Sequence, residues 1–386
     1  MTATLKQSTS VATARLVVAF ELGWLKIKIA STCDVLQPPR IKEVRARDLP
    51  ALQRELALAK KRFGLPADAP VFSCYEAGRD AFWLHRWLTT QGIHNVVVDP
   101  GSLRVNRRRK RAKTDRIDAR LLLNHLLDHL EGKKYVWSVV RVPTLAQEDQ
   151  RQLHREMDTL KGERTEHVNR IRSLLATLGL ALGMVKGKFA EWLDGQRLLE
   201  SGAAIPADYR QRLLREYERW ELADKQLQEL EAEQKRRVAA DEEAGMTKVR
   251  KLMELKGVGI KSAWLFGWEF FNWRRFANRR QIGALAGLTP TPSQSGEESK
   301  ELGLNKAGNR WIRSLVIELA WGWLKWQPKS KLSRWFRKVF AAGGRRNRKK
   351  GIVALARKLL IALWRWVEFD EVPEGAVRVG WEAKLK

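Results

Sequence analysis

The periodicity of apolar residues changes near residues 142–143, and this change limits the folds that the chain can adopt. Before that point, short apolar runs predict β-strands at residues 16–20, 24–29, 71–75 and 96–98. Helices are predicted between them, within residues 42–63 and at about 80–91. After that point, apolar residues recur every three or four positions, which predicts helices throughout. We therefore expect an α/β sheet domain followed by an all-α region.

The charge of the chain predicts a polyanionic partner. Lysine and arginine outnumber aspartate and glutamate by 73 to 44, for a formal net charge of +29. Such an excess argues against an ordinary metabolic enzyme and favours a protein that binds nucleic acid. Cys33 and Cys74 are too few for a disulfide framework, which agrees with a reducing compartment. Since no apolar run approaches membrane-spanning length, no membrane partner is expected.

Asp115 and Asp118 lie three residues apart, where a helix is predicted to begin near residue 114. That spacing puts both side chains on one face of the helix, about a turn apart. A basic run precedes them directly and is predicted to contact phosphates: Arg107, Arg108, Arg109, Lys110, Arg111 and Lys113. Carboxylates beside so much positive charge indicate a site that holds a divalent metal against a phosphate.

Glu21 and Glu76 each follow a predicted strand. Acids at the ends of neighbouring strands, completed by Asp115 and Asp118 from a helix, would converge as a two-metal nuclease requires. We therefore predict that these four acids are catalytic and bind Mg²⁺ or Mn²⁺. Each has a structural alternative: Glu21 as a turn residue, Glu76 as a surface acid, and Asp115 as a helix cap with Asp118 in the first turn.

The helical region contains two long helices, over about residues 153–178 and 207–239, each with a narrow apolar stripe. A narrow stripe needs a partner, so we expect either an antiparallel arm or a dimerising coiled coil. Further along, Lys256, Gly257 and Gly259 form a turn whose amides suit a phosphate, as in a helix-hairpin-helix element. A plain connection between helices would give the same pattern.

Residues 288–296 are rich in Pro, Ser and Gly and predict a loop that carries Ser295. As a nucleophile, Ser295 would need a Lys, an Arg or a metal-bound oxygen to remove or stabilise its proton, since no histidine lies nearby. A loop or capping serine is the alternative. Further nucleic-acid contacts are predicted at Lys306, Asn309 and Arg310, and on a basic helix at Arg345, Arg346, Arg348, Lys349 and Lys350.

Several short motifs occur in a specific order: Tyr75-Glu76-Ala77-Gly78, Lys113-Thr114-Asp115 with Asp118-Ala119, Gly257-Val258-Gly259, Gly287-Leu288-Thr289-Pro290, Gln294-Ser295-Gly296 and Lys306-Ala307-Gly308-Asn309-Arg310. In this order the chain resembles the DEDD-type transposases of bacterial insertion sequences, which are bridge-RNA-guided recombinases. The resemblance covers roughly residues 15 to 325, and it implies a bacterial, cytoplasmic protein that associates with the nucleoid.

The resemblance implies an RNase H-like (RuvC-like) N-terminal domain, a coiled-coil arm and a helical transposase domain. The predicted boundaries are 1–14 for a flexible terminus, 15–142, 143–245 and 246–330 for these three domains, and 331–386 for a basic helical region. By resemblance, Glu76, Asp115 and Asp118 match the family's second to fourth metal-binding acids, and Ser295 matches the serine that links covalently to DNA. The implied partners are donor and target DNA, a structured guide RNA, and further copies of the chain, as a dimer that assembles to a tetramer.

Glu21 departs from the family, which usually has aspartate as its first acid. Glutamate is one methylene longer, so it ligates Mg²⁺ if the metal or the strand shifts slightly. Alternatively, the metal geometry is altered or cutting is impaired. Asp34 and Asp99 are secondary candidates for this ligand.

The leading interpretation is a DNA transposase/recombinase that excises and inserts its own element, guided by RNA and using both the metal site and Ser295. A second interpretation is a RuvC-like, structure-specific nuclease that uses metal-activated water, with Ser295 structural. A third is a non-catalytic nucleic-acid-binding descendant, which Glu21 favours.

Overall fold

The computed structural model describes residues 14–78, 82–103, 115–134, 136–183, 187–240, 243–295, 298–304, 308–340 and 343–385. At residues 115–117, 244, 290–295 and 298–302 it describes the backbone without the side chain. The chain divides into two compact units, Met1–Pro143 and Thr144–Lys386.

The first unit is built on a five-stranded sheet. Its strands are β1 (Leu16–Leu22), β2 (Lys26–Thr32), β3 (Arg40–Arg45), β4 (Val71–Glu76) and β5 (His94–Val98). Their order across the sheet is β3-β2-β1-β4-β5. The first three strands pair antiparallel, whereas β4 pairs parallel with both β1 and β5. This mixed sheet confirms the predicted α/β domain and agrees with the RNase H-like fold that the resemblance implies.

Strand β3 was not expected, because residues 42–63 were predicted to lie within a helix. The helix α1 instead spans Leu49–Arg62. Asp48 sets its start, since its carboxylate accepts a hydrogen bond from the amide of Ala51 at 2.9 Å. The residues before it form β3 and pair antiparallel with β2 from Arg40 to Arg45. The predicted helix was therefore too long, and the helical period begins after the cap.

Helices cover both faces of the sheet. One face packs against α1 and α2 (Phe82–Thr90), in a core that includes Phe20 and Tyr75. The other face packs against α3 (Asp115–Leu130), in a core that includes Val17, Ala19 and Cys74. Since successive residues of a strand point to opposite faces, odd positions of β1 and even positions of β4 lie beneath α3.

The second unit is mainly helical. Its helices are α4 (Leu145–Asp149), α5 (Gln152–Ala176), α6 (Phe189–Asp194), α7 (Ala207–Ala240), α8 (Ala244–Met253), α9 (Ile260–Phe266), α10 (Arg279–Leu285), α11 (Arg310–Trp326), α12 (Lys331–Phe340) and α13 (Arg345–Phe369). Helices α5 and α7 form an antiparallel pair, since Arg164 contacts Asp224 whereas His167, further along α5, contacts Glu216, nearer the start of α7. In the described part of the chain, no helix is long and apolar enough to cross a bilayer.

The prediction that this region is wholly helical was wrong at one place. Pro290–Ser295 forms β6 and Glu298–Leu304 forms β7, an antiparallel hairpin where a loop was expected at residues 288–296. Proline is usually confined to strand edges because it cannot donate a hydrogen bond. A two-stranded sheet consists of edges, so it accommodates Pro290 and Pro292, and the loop-like composition concealed the strand.

Candidate functional site

The sheet brings two of the predicted acids together. Phe20 of β1 pairs with Tyr75 of β4, so Glu21 and Glu76 occupy the next position of two parallel, adjacent strands. Ala19 of β1 and Cys74 of β4 pack against α3. Glu21 and Glu76 each lie two residues after one of them. Alternation therefore directs both carboxylates to the α3 side of the sheet. Across β1 and β2, Glu21 is paired with Lys28, which puts a cation beside this acid.

Helix α3 supplies the other two acids from above the same face. It begins at Asp115, and Ala119, Leu122 and Leu126 are buried against the sheet. Asp115 precedes Ala119 by four residues and Asp118 precedes Leu122 by four, so both acids continue the buried stripe by one turn. The structure thus brings Asp118, and the backbone of Asp115, to the sheet face that carries Glu21 and Glu76.

One contact fixes the level at which α3 crosses β4. The thiol of Cys74 lies 3.7 Å from the carbonyl oxygen of Leu122. Asp118 is one turn from this contact along the helix, about 6 Å, and Glu76 is two residues from it along the strand, about 7 Å. Each acid therefore lies within about 7 Å, measured along its own element, of the same contact between helix and strand.

The donor set fits a hard divalent cation, because its members are carboxylates. Among the side chains that the structure describes, no three His, Cys, Asp or Glu residues lie close enough together to hold a metal ion. The side chain of Asp115 is not among those described. Mg²⁺ is often bound by one or two carboxylates together with substrate phosphates, so this acid set suits an ion that binds with the nucleic acid.

The secondary candidates have local structural roles. Asp34 accepts a hydrogen bond from the amide of Leu36, and Asp99 accepts one from the amide of Gly101, both at 3.0 Å. Such contacts are typical of residues that cap turns. The predicted basic run at residues 107–113 lies outside the described residues.

Ser295 lies at the last position of β6, where it pairs with Glu298 next to the hairpin turn. The structure describes its backbone but not its hydroxyl. The hairpin returns to α11 through Gly308 and Asn309, whereas Lys306 lies outside the described residues. Gly308 has φ +131°, and a Cβ there would lie 2.6 Å from the carbonyl oxygen of Leu285, so the position requires glycine. Asn309 caps α11 by accepting a hydrogen bond from the amide of Ile312.

A buried carboxylate, not predicted from the sequence, lies next to this cap. Glu269 is on a π-helical segment, Gly267–Phe271, and its side chain is 2% exposed. It accepts hydrogen bonds from Nε2 of His154 at 2.9 Å and Nε of Arg155 at 2.7 Å, and Nδ2 of Asn309 lies 3.5 Å from it. Burial alone would raise the pKa of Glu269, but the His154 and Arg155 interactions lower it to about 2. The sequence signal was one acid within an aromatic run.

The glycine turn joins α8 to α9, as a helix-hairpin-helix element or a plain connection would. Gly257 has φ +93° and packs against Trp326. The ammonium group of Lys384 donates to the carbonyl oxygens of Leu255 at 2.8 Å and Val258 at 2.9 Å, and burial lowers its pKa to about 8. The carbonyl side of the turn is thus occupied. A Cβ at Gly259 would meet open space, so phosphate binding by Lys256, Gly257 and Gly259 stays a prediction.

Family models match two parts of the chain. A model of the IS116/IS110/IS902 transposase family matches residues 249–333, which include Ser295. A model of the DEDD transposase domain of the IS110 family matches residues 34–179, which include three of the four predicted metal ligands. Glu21 precedes that range.

Curated relatives extend the similarity over both units. A protein of Sinorhizobium fredii, named as transposase y4rJ, is 40% identical over 321 residues, which are 80% of each chain. The transposase for insertion sequence element IS1111A of Coxiella burnetii is 27% identical over 259 residues, 66% of each chain. The transposase for insertion sequence element IS1328 of Yersinia enterocolitica is 26% identical over 174 residues, 44% of this chain and 48% of that one.

Proposed function

This chain belongs to the IS110 family of insertion-sequence transposases with a DEDD-type domain, and on this basis we propose that it cuts and exchanges DNA strands under the guidance of a structured RNA. The observation that carries the catalytic part of the proposal is the shared position of Glu21 and Glu76 on the sheet face beneath the start of α3. Guidance by RNA rests on the order of motifs that the chain shares with the family.

Four acids would hold the metal: Glu21, Glu76, Asp115 and Asp118. A divalent ion, Mg²⁺ or Mn²⁺, would there supply the positive charge that a scissile phosphate needs. The acids would hold the ion in position at the phosphate, and Lys28 beside Glu21 adds a further cation. Because glutamate is one methylene longer than aspartate, Glu21 would ligate the metal if the metal or β1 shifts slightly.

Ser295 would act as the nucleophile. A bond forms between its Oγ and the phosphorus, the bond from phosphorus to a DNA oxygen breaks, and the proton of the serine is released while the departing oxygen gains one. Strand exchange then joins the phosphate to the hydroxyl of another DNA strand and regenerates the serine. The place of Ser295 beside a hairpin turn supports this role, since loop-borne groups are where catalytic residues concentrate.

The packing of α5 against α7 favours an antiparallel arm over a coiled coil that must dimerise to cover its apolar stripe. The two helices bury apolar residues against each other within one chain, among them Ile171 and Leu213. Assembly into dimers and tetramers would then use other surfaces.

A RuvC-like nuclease is the second candidate, and the DEDD-type domain fits it as well. Carboxylates that bind a metal suffice for hydrolysis by water, without Ser295. The two functions differ in one product, because hydrolysis leaves no covalent link between protein and DNA. The third interpretation, a non-catalytic binding protein, predicts no cleavage with Mg²⁺.

Strand cleavage by an Asp118→Asn variant tests the metal site. Loss of a ligand removes several kcal/mol of charge stabilisation, so we expect cleavage with Mg²⁺ to fall about 100-fold or more. The matched control is Asp128→Asn on the same helix, which loses a surface ion pair with Lys133 and should cut within about two-fold of wild type. Full activity of Asp118→Asn with Mg²⁺ would remove Asp118 from the site.

A further inference from the structure

A basic cleft of about 970 Å³ lies between α10, α13 and the base of the β6–β7 hairpin. Among the side chains that the structure describes, every charged one lining it is a Lys or an Arg: Arg279, Arg280, Arg346, Lys349, Lys350, Arg357 and Lys358. Seven like charges around one cleft repel one another, and an anion bound between them would offset that repulsion.

Only part of the basic run at the start of α13 lines the cleft. Arg346, Lys349 and Lys350 line it, at the spacing of one helix face, whereas Arg345 and Arg348 do not. From the sequence, all five were expected to act alike. The structure therefore assigns different roles to cations of the same helical turn.

The walls of the cleft hold their cations in place. Helix α10 packs onto α13 at Gly283, where a Cβ would lie 3.0 Å from Nε of Arg357. The ammonium group of Lys358 lies 4.7 Å from the ring centre of Trp335, a cation–π contact. Between the charges, the lining is aliphatic and includes Leu288, Val353 and Ile361.

We propose that this cleft binds the sugar–phosphate backbone of the DNA strand that Ser295 cuts. The cations suit regularly spaced phosphates, and none of the described residues that line the cleft offers an aromatic ring on which a base could stack. Binding there would position the strand without reading its sequence.

DNA is favoured over RNA because Leu288, Gly303 and Leu304, at the base of the serine hairpin, form part of the cleft. Pro290 pairs with Leu304 at that base, and Ser295 lies five residues further along β6, about 17 Å away at 3.3 Å per residue. At 3.4 Å per base pair, the cleft holds phosphates about five nucleotides from the cut. This register rests on the proposed function of Ser295.

Paired charge removal tests the cleft. Arg346→Gln/Lys349→Gln removes two cations from its wall, and Arg345→Gln/Arg348→Gln removes two from the same turns of α13 outside it. Affinity for a labelled duplex carrying one end of the insertion element is measured over a range of salt concentrations. We expect the cleft variant to lower the slope of log K against log salt by about 1.8, at about 0.9 per phosphate contact, and the control to lower it by less than about half of that. All four of the replaced side chains are exposed on the surface, so circular dichroism should show both variants folded.

The outcomes separate the cleft from its alternatives. An equal decrease of the salt slope in the two variants would assign binding to diffuse surface charge and overturn the proposal. An unchanged slope in both variants would overturn it as well. Weaker binding of a structured RNA with unchanged DNA binding would assign the cleft to RNA and overturn the proposal. Because binding needs no chemistry, these results stand whether or not Ser295→Ala abolishes cutting. In wild type, a neutral methylphosphonate should weaken binding most about five nucleotides from the cut, and an effect elsewhere would overturn the register.

Discussion

Replacement of Ser295 by alanine is expected to lower DNA recombination by at least about 10⁴-fold, because the reaction loses its nucleophile. Duplex binding should be unchanged, since a hydroxyl contributes little to affinity that is dominated by phosphate contacts. Recombination between a donor and a target plasmid, with the guide RNA supplied, measures the first quantity. Salt-dependent binding to a labelled duplex measures the second.

The chain offers a close control in Ser293→Ala. Ser293 lies two residues before Ser295 on β6, so it lies on the same face of the hairpin. It should recombine within about three-fold of wild type, because the change removes one hydroxyl from the same strand and leaves Ser295 in place. If the Ser295→Ala and Ser293→Ala variants recombine equally well, Ser295 has no chemical role and the nuclease interpretation is favoured.

The second large effect is expected at Glu269. Its removal leaves His154 and Arg155 without their buried partner, and breaking a buried ion pair in this way costs about 3–5 kcal/mol. Glu269→Ala should therefore lower the free energy of unfolding of the second unit by that amount, as measured by urea denaturation. The control is Glu374→Ala, which breaks an exposed ion pair with Lys331 and should cost less than about 1 kcal/mol.

The pH dependence of stability gives Glu269 a specific signature. A carboxyl whose folded-state pKa is lowered from 4.5 to about 2 stabilises the fold above its unfolded pKa, and the contribution is lost as pH falls between those values. Wild type should therefore lose up to about 3 kcal/mol more than Glu269→Gln from pH 4.5 to 2, at 1.36 kcal/mol per pKa unit. Parallel pH profiles of the two proteins would contradict the assignment.

Glu269 would matter to the proposed function because of the elements that it connects. It connects the start of α5, through His154 and Arg155, to Asn309 at the cap of α11. The backbone amide of Asn309 donates to the carbonyl oxygen of Leu285 at 2.8 Å, which also fixes the return of the serine hairpin. π-helical turns such as the one that carries Glu269 often occur at functional sites.

Much of the sheet domain could be predicted from local patterns. The apolar runs of β1 and β4 and the start of α3 follow from periodicity, and alternation then directs Glu21 and Glu76 to one face. Strand β3 could not be predicted in this way because Arg40–Arg45 is short, mostly charged and stabilised by pairing with β2. The same holds for β6, where Pro290 and Pro292 gave a loop-like composition to a strand that exists through its partner β7.

In the candidate site, too, some residues could be predicted from local patterns and others depend on partners distant in the chain. Asp115 and Asp118 could be identified from spacing and charge, since both properties are local. Glu269 could not, because its significance comes from His154 and Arg155, more than a hundred residues away in the chain. That Arg346 lines the basic cleft and Arg345 does not also depends on the packing of α10 on α13.

The most direct test of the central claim is the chemical identity of the protein–DNA product. Wild-type protein, guide RNA and a duplex carrying the element end are incubated with Mg²⁺, denatured and digested, and the peptides are analysed by mass spectrometry. The account predicts a nucleotide linked through phosphate to Ser295, present in Ser293→Ala and missing in Asp118→Asn. Cleavage that proceeds with Mg²⁺ but yields no adduct on Ser295 would contradict it.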